Sequence, residues 1–388
     1  MSETKAAAPA YNKNNPFLAK ITDNFLLTKD GSEKETRHLV VNISGSNLQY
    51  QPGYSLGVFP KNPPSLAAEI LERLHLDPSH PVPQKDGSTK PLLQTLMEDH
   101  TLNRAGKKFV RAVAEKIQAG AAKDGLSALV ANEEELETYV HTRDYIDILN
   151  EFPEVRFTAE ELLENIGRLV PRLYSIASSQ AKHPDEIHLT VAIVRYTTHH
   201  REKKGLCSGF LADHTELNLG NLPVFLAPNK HFKLPDDKQT PIIMVGPGTG
   251  IAPFRAFLEQ REAEGATGRN WLFFGDQRKA SDFLYEDEFN NWLRKGLLTR
   301  FDTAFSRDQA HKVYVQDRMR ENGAELWKWL QEGAYLYVCG DAKRMAKDVH
   351  ETLIQIASQH GELAYEKAEE YIGKTLMKDE KRYLRDVY

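Results

Sequence analysis

Hydrophobic and polar positions change their period three times along this chain of 388 residues. From Phe17 to Phe59 apolar side chains alternate with polar ones or run in short blocks. His38-Leu39-Val40-Val41-Asn42-Ile43 predicts a strand, and Gln51-Pro52-Gly53-Tyr54 predicts a turn before another. Between Pro63 and Asn165 the spacing becomes helical. LAAEILERLHL, with Ser65 as its cap, FVRAVAEKIQAGAA, EEELETYV and AEELLENI all read as helices. Arg172 to Pro235 returns to strands in LYSIAS, IHLTVAIVRY and LPVFLA. Two strand-rich stretches around a helical block predict one antiparallel β-barrel interrupted by an all-helical insertion.

Beyond Pro235 short apolar blocks alternate with amphipathic ones. PIIMVG, WLFFGD, LTRFDTAFS and YLYVCGD read as strands; IAPFRAFLEQREAEG, DFLYEDEFNNWLRKG and AKRMAKDVHETLIQIASQHG read as helices, and ELWKWLQEG lies in a helical stretch. This alternation predicts a doubly wound parallel sheet whose ligands sit at the carboxyl ends of its strands. The expected organisation is a flexible tail over residues 1–16, a barrel from 17–62 and 166–235, a helical connecting insertion over 63–165, and an α/β domain over 236–388.

Composition narrows the classes. The chain is 40% hydrophobic and 27% charged with a net charge of −5, which gives no support for nucleic-acid binding. No apolar run reaches the ~18–20 residues of a membrane span, and the start MSETKAAAPAYNKNNPF lacks the apolar core of a signal peptide. Cys207 and Cys339 lie far apart and form neither a metal-spacing motif nor a disulfide framework, so no metal is expected. A cytoplasmic protein with reduced thiols is expected.

Gly246-Pro247-Gly248-Thr249-Gly250-Ile251-Ala252-Pro253 follows a strand and opens a helix. Such glycines let backbone approach a phosphate at a helix start, and a tight strand–helix turn would look the same. Phe305-Ser306-Arg307, followed by Lys312-Val313-Tyr314-Val315-Gln316, places a hydroxyl, a guanidinium, an ammonium and an aromatic ring at a strand's carboxyl end. That set suits a ribose 2′-phosphate and an adenine, so NADPH is expected over NADH. Cys339 ends a strand and reads either as a buried core thiol or as a soft contact for a nicotinamide. Arg172-Leu173-Tyr174-Ser175 could bind a diphosphate, stack on a flat ring and reach a ring nitrogen; an exposed strand face would read alike. Gly205-Leu206-Cys207-Ser208 opens a helix and makes a second diphosphate candidate. The final Tyr388 either packs on the surface or stacks on a flavin, with Asp386 near the hydride path.

RLYSIASS, TVAIVRY, GLCSGFLADH, GPGTGIAPFRAF, FSRDQAHKVYVQ, YVCGDAKRMAKDV and the terminal RDVY, together and in this order, resemble the reductase half of the diflavin reductase family. RLYSIASSQ and the terminal RDVY are most similar to its NADPH sulfite reductase flavoproteins. The resemblance runs from about Asn15 to Tyr388 and implies a ferredoxin-NADP reductase-like fold carrying FAD and NADPH. It implies FAD contacts from Arg172, Leu173, Tyr174 and Ser175, from Thr190, Val191, Ala192 and Tyr196, from Gly205, Leu206, Cys207 and Ser208, and from Thr101. It implies NADP contacts from Ser306, Arg307, Lys312, Val313, Tyr314, Val315, Gln316 and Asp348, with Thr249 and Arg37 near the diphosphate. Ser175, Cys339 and Asp386 match the trio that orients hydride transfer, and Tyr388 the ring that yields to nicotinamide.

Two departures stand out. Tyr54 occupies a position where the family has Asp in a PGD turn, and the N-terminal flavodoxin-like FMN domain has no counterpart in this sequence. The expectation is an NADPH-dependent FAD reductase that passes electrons to an external flavodoxin, ferredoxin or sulfite reductase hemoprotein. The alternatives are a ferredoxin- or flavodoxin-NADP reductase of another pathway, or a non-catalytic NADP(H)-binding module.

Overall fold

A computed structural model describes residues 11–213 and 215–388, so the first ten residues of the expected tail lie outside the described residues. Six strands form an antiparallel sheet: β1 (Phe17–Leu26), β2 (Glu35–Asn42), β3 (Ser55–Val58), β4 (Arg172–Ser175), β5 (Glu186–Ile193) and β6 (Leu222–Ala227), in the order β4-β3-β6-β1-β2-β5. Alternation sends Ala19, Ile21, Leu39 and Val41 inward. An antiparallel bridge between Ile176 and Leu189 joins the two outer strands and closes the sheet into a barrel. The turn before β3 depends on its glycine, not on the residue after it. Gly53 has φ +97°, and a Cβ there would lie 1.8 Å from the Phe232 carbonyl oxygen. Tyr54 contributes only backbone, its N–H donating to Gln51 and its carbonyl accepting from Ile176, both at 3.0 Å.

A five-stranded parallel sheet follows in the same compact unit: β7 (Ile242–Val245), β8 (Asn270–Asp276), β9 (Arg300–Phe305), β10 (Tyr335–Gly340) and β11 (Tyr383–Val387), ordered β9-β8-β7-β10-β11. Ile243 and Val245 of β7 pack on one side with Trp329 and Leu353, while Ile242 and Met244 pack on the other with Phe254 and Phe257. Burial on both faces is why these strands read as continuous apolar runs.

A second compact unit holds the helical block and residues 193–215. Leu71, Leu96, Phe109, Leu136, Tyr145 and Leu162 centre its core. A small hairpin, Pro81–Pro83 with Thr89–Pro91, lies within the block and carries no helical period. Another joins Arg195–Thr198 to Arg201–Lys204. From it Arg201 and Lys203 reach Asp144 and Asp147, the two carboxylates of the capping box that starts helix Tyr145–Glu151.

Three helix assignments change. Ser65 does not cap the first helix, which starts at Pro64 behind Pro63; the ring fixes φ for the first helical position. FVRAVAEKIQAGAA is two helices, Lys107–Lys116 and Ala121–Ala131, broken where Gly120 takes φ +148°. DFLYEDEFNNWLRKG is not one helix: Asp282 ends a short helix, Lys279–Asp282, and a second runs from Glu286 to Arg294. Phe283, Leu284 and Tyr285 turn into the core instead, with Tyr285 at φ +56°.

Candidate functional site

Ser175, Cys339 and the C-terminal pair Asp386 and Tyr388, from three distant parts of the sequence, meet at strand ends. Parallel register sets Cys339 of β10 beside Asp386 of β11. Ser175, the last residue of β4, donates its hydroxyl to Asp386 Oδ2 at 2.9 Å. Burial pushes the Cys339 thiol well above its usual pKa and the Asp386 charge adds to this, while the Ser175 hydrogen bond opposes it. Burial likewise raises Asp386, against the Ser175 hydrogen bond. The cysteine is therefore a neutral thiol suited to contact, not a thiolate nucleophile.

Tyr388 is held by its backbone on both sides. Its N–H donates to the Gly340 carbonyl, and its own carbonyl accepts from Ala342 N–H, both at 3.1 Å. The residue is 64% exposed, and its hydroxyl shares a hydrogen bond of 2.8 Å with Thr249 Oγ1.

Thr249 belongs to the glycine turn between β7 and helix Ala252–Ala263. Close packing demands two of its glycines: a Cβ on Gly246 would lie 2.4 Å from the Gly250 carbonyl oxygen, and one on Gly250 would lie 2.2 Å from that of Cys339. Gly248, at φ +57°, opens on a cavity of about 420 Å³. Ser306, Tyr314, Val315, Gln316 and Asp348 line this cavity, with Lys34, Asp276 and Arg344. Gln316 donates to Asp348 at 3.4 Å. The buried Val313 joins the core beneath, and Lys312 is exposed outside the lining. Arg307 pairs with Glu33 at 2.5 Å. Arg37 is held by Glu35 at 2.7 Å and Asn24 at 3.3 Å. Asp276 has a sequence signal, since it ends the second strand of the parallel sheet. Lys34 has none; 242 residues separate it from the carboxylate it pairs with.

The residues expected at FAD fall in both units. Leu173 is 59% exposed on β4, beside the partly buried Tyr174 and the exposed Arg172. Val191 is buried and Ala192 faces out, but Thr190 is turned inward, its hydroxyl 2.7 Å from that of Tyr285. In the second unit Tyr196 is exposed, and Thr101 donates its hydroxyl to the Arg168 carbonyl at 3.1 Å. Gly205 starts helix Leu206–Asp213, where a Cβ would meet Ser208 Oγ at 2.6 Å. A helix start that excludes a side chain suits a diphosphate. Exposed Leu173 and Tyr196 suit flat rings. Each unit, taken by itself, thus offers groups whose chemistry suits part of a flavin dinucleotide.

His183, Glu186 and His188 could bring one ligand atom each within 4.8 Å of the others. The His188 Nδ1, however, faces the Arg255 guanidinium at 3.3 Å. A nitrogen accepting from that donor puts the ring proton on Nε2, which then donates to Glu186 at 3.2 Å and has no lone pair for a metal. The trio instead belongs to a partly buried polar network with the buried Arg255 and Glu259, which pair at 3.1 Å.

Residues 9–210 match the FAD binding domain family, and residues 244–351 match the oxidoreductase NAD-binding domain. The chain is 45% identical over 382 residues to the sulfite reductase (NADPH) flavoprotein alpha-component of Bacillus subtilis, covering 98% of this chain and 62% of that protein. The protein of the same name from Yersinia pestis is 44% identical over 378 residues, covering 97% of this chain and 61% of that protein. The one from Serratia proteamaculans is 44% identical over 97% of this chain and 62% of its own length. The chain thus spans less than two thirds of these relatives.

Proposed function

The chain belongs to the FAD binding domain family and carries an oxidoreductase NAD-binding domain after it; from that premise we propose that it oxidises NADPH through bound FAD and delivers the electrons to a separate acceptor protein. The observation that carries this reading is the meeting of Ser175, Cys339, Asp386 and Tyr388 beside the glycine turn. When bound, FAD supplies the hydride acceptor and the release of electrons one at a time.

The chain's own residues do the rest. We assign Arg172, Leu173, Tyr174 and Ser175, with Val191, Ala192, Tyr196 and the Gly205–Ser208 turn, to holding FAD. Ser306, Tyr314, Gln316 and Asp348 take the adenosine end of the nucleotide, with Arg307 and Lys312 on its 2′-phosphate. The first turn of helix Ala252–Ala263 offers its amides to the diphosphate. Tyr388 covers the flavin face until its side chain rotates away from Thr249. Ser175 and Asp386 hold the nicotinamide against neutral Cys339, so the protein contributes position and local charge.

The acceptor we propose is a flavodoxin, a ferredoxin or a sulfite reductase hemoprotein. The relatives named above are sulfite reductase flavoproteins, which favours the last. Among the described residues no helix is long and apolar enough to cross a membrane, and we place the reaction in the cytoplasm. Purified chain loaded with FAD should be yellow and should reduce sulfite reductase hemoprotein with NADPH. A chain that takes up no flavin would refute the reading.

A further inference from the structure

The connection between β1 and β2 reaches over the nucleotide cavity and is pinned there. Lys29 N–H donates to the Ser281 carbonyl at 2.8 Å, and its ammonium pairs with Glu286 at 3.2 Å. Ser32 bonds to Asp282, Glu33 holds Arg307, and Lys34 closes an ion pair on Asp276.

Asp276 is an unusual neighbour for a phosphorylated nucleotide. It ends the second strand of the sheet, where an acid would take ribose hydroxyls and reject a 2′-phosphate. Its side chain is 1% exposed, lines the cavity with Ser306 and Tyr314, and would stand 3.9 Å from a Cβ on Gly248. Burial raises its pKa, with Lys34 offsetting that only in part. The amide of Gln277 donates to it at 2.7 Å. Among the described residues Lys34 is the cation paired with it, and it also lines the cavity.

We propose that Lys34 is a specificity-determining residue: by cancelling Asp276 and presenting its ammonium to the cavity, it makes this site prefer a 2′-phosphorylated nucleotide over NADH. This rests on reading the cavity as the nucleotide site. Without Lys34, Asp276 presents a bare carboxylate to the phosphate and a good acceptor to a ribose hydroxyl. Lys34 is thus an NADPH determinant supplied from the barrel and not from the nucleotide-binding sheet.

The test is calorimetric titration of the FAD-loaded chain with adenosine 2′,5′-bisphosphate and with AMP. Lys34→Gln should weaken the bisphosphate about tenfold or more, the loss of one charge-assisted bond, and AMP by less than about twofold. Lys34→Arg should keep the preference. Lys34→Gln with Asp276→Asn should regain much of the lost bisphosphate affinity, because the repelling charge has gone with its partner. Equal losses for both ligands, or a double variant as weak as the single one, would overturn the proposal. A wild-type chain that binds neither ligand would overturn the nucleotide reading itself; one that binds both, with a ratio Lys34→Gln does not move, overturns only the role of Lys34.

Discussion

Asp147 and Asp276 are each 1% exposed at the side chain, yet their environments drive them in opposite directions. For Asp147 burial is outweighed by Lys203, the Asp144 amide and Arg201, which hold the carboxyl below its usual range. For Asp276 burial wins, and a partly exposed Lys34 offsets it only in part. The first carboxylate caps a helix and ties a hairpin to it, so its partners are spent inside the protein. The second opens on a cavity at a strand's carboxyl end, where an incoming phosphate would feel it. Burial alone does not mark a functional acid. What separates them is whether the groups that balance the charge are enclosed in the fold or line a cavity that a ligand can enter.

The largest expected effect breaks or keeps this contrast directly. Asp147→Ala strips Lys203 and Arg201 of a buried partner and should cost about 3–5 kcal/mol in urea unfolding. Asp276→Asn should cost less than about 1 kcal/mol, since it removes a charge that burial already disfavours. Comparable losses in the two variants would erase the distinction.

The strand-end cluster supplies the next test. Asp386→Asn should slow flavin reduction by NADPH about a hundredfold or more while leaving NADPH affinity nearly unchanged, a split read by stopped-flow against equilibrium titration. Replacing Arg307 and Lys312 together by Gln should raise the NADPH KM about tenfold and the NADH KM far less, in steady-state assays with both nucleotides. Tyr388→Ala removes a stacking competitor worth about 1 kcal/mol and should raise NADH turnover severalfold; unchanged NADH kinetics would count against the lid.

The smallest effect is in pH. A depressed carboxyl such as Asp147 contributes stability present above its unfolded pKa and lost as pH falls through its folded pKa. A raised one such as Asp276 does the reverse, weakening the fold as pH rises through its unfolded and then its folded pKa. Melting curves of Asp147→Asn and Asp276→Asn through the acid range should therefore diverge from wild type with opposite sign.

Much of this was legible in the chain. The interrupted barrel, the parallel sheet and the glycine turn follow from local period and local turn chemistry, which sequence carries directly. Phe283 to Tyr285 misled because helical spacing continues through them, while the tertiary pull of Tyr285 toward Thr190 and His38 breaks the helix. Ser175, Cys339 and Asp386 could be singled out in sequence because they fall at strand ends, which is where such sheets bind ligands. Thr190, expected at FAD from the resemblance, has its hydroxyl 2.7 Å from that of Tyr285, a pairing that sequence could not show. Lys34 was missed because its meaning comes wholly from a partner far away in sequence. The pairing of Arg307 with Glu33 was hidden for the same reason.

The central claim is that this chain takes hydride from NADPH onto FAD. Anaerobic stopped-flow mixing of the FAD-loaded chain with NADPH tests it most directly. The oxidised flavin absorbance should bleach in a fast phase that NADH reproduces only poorly. Bound FAD that stays oxidised under excess NADPH would contradict it.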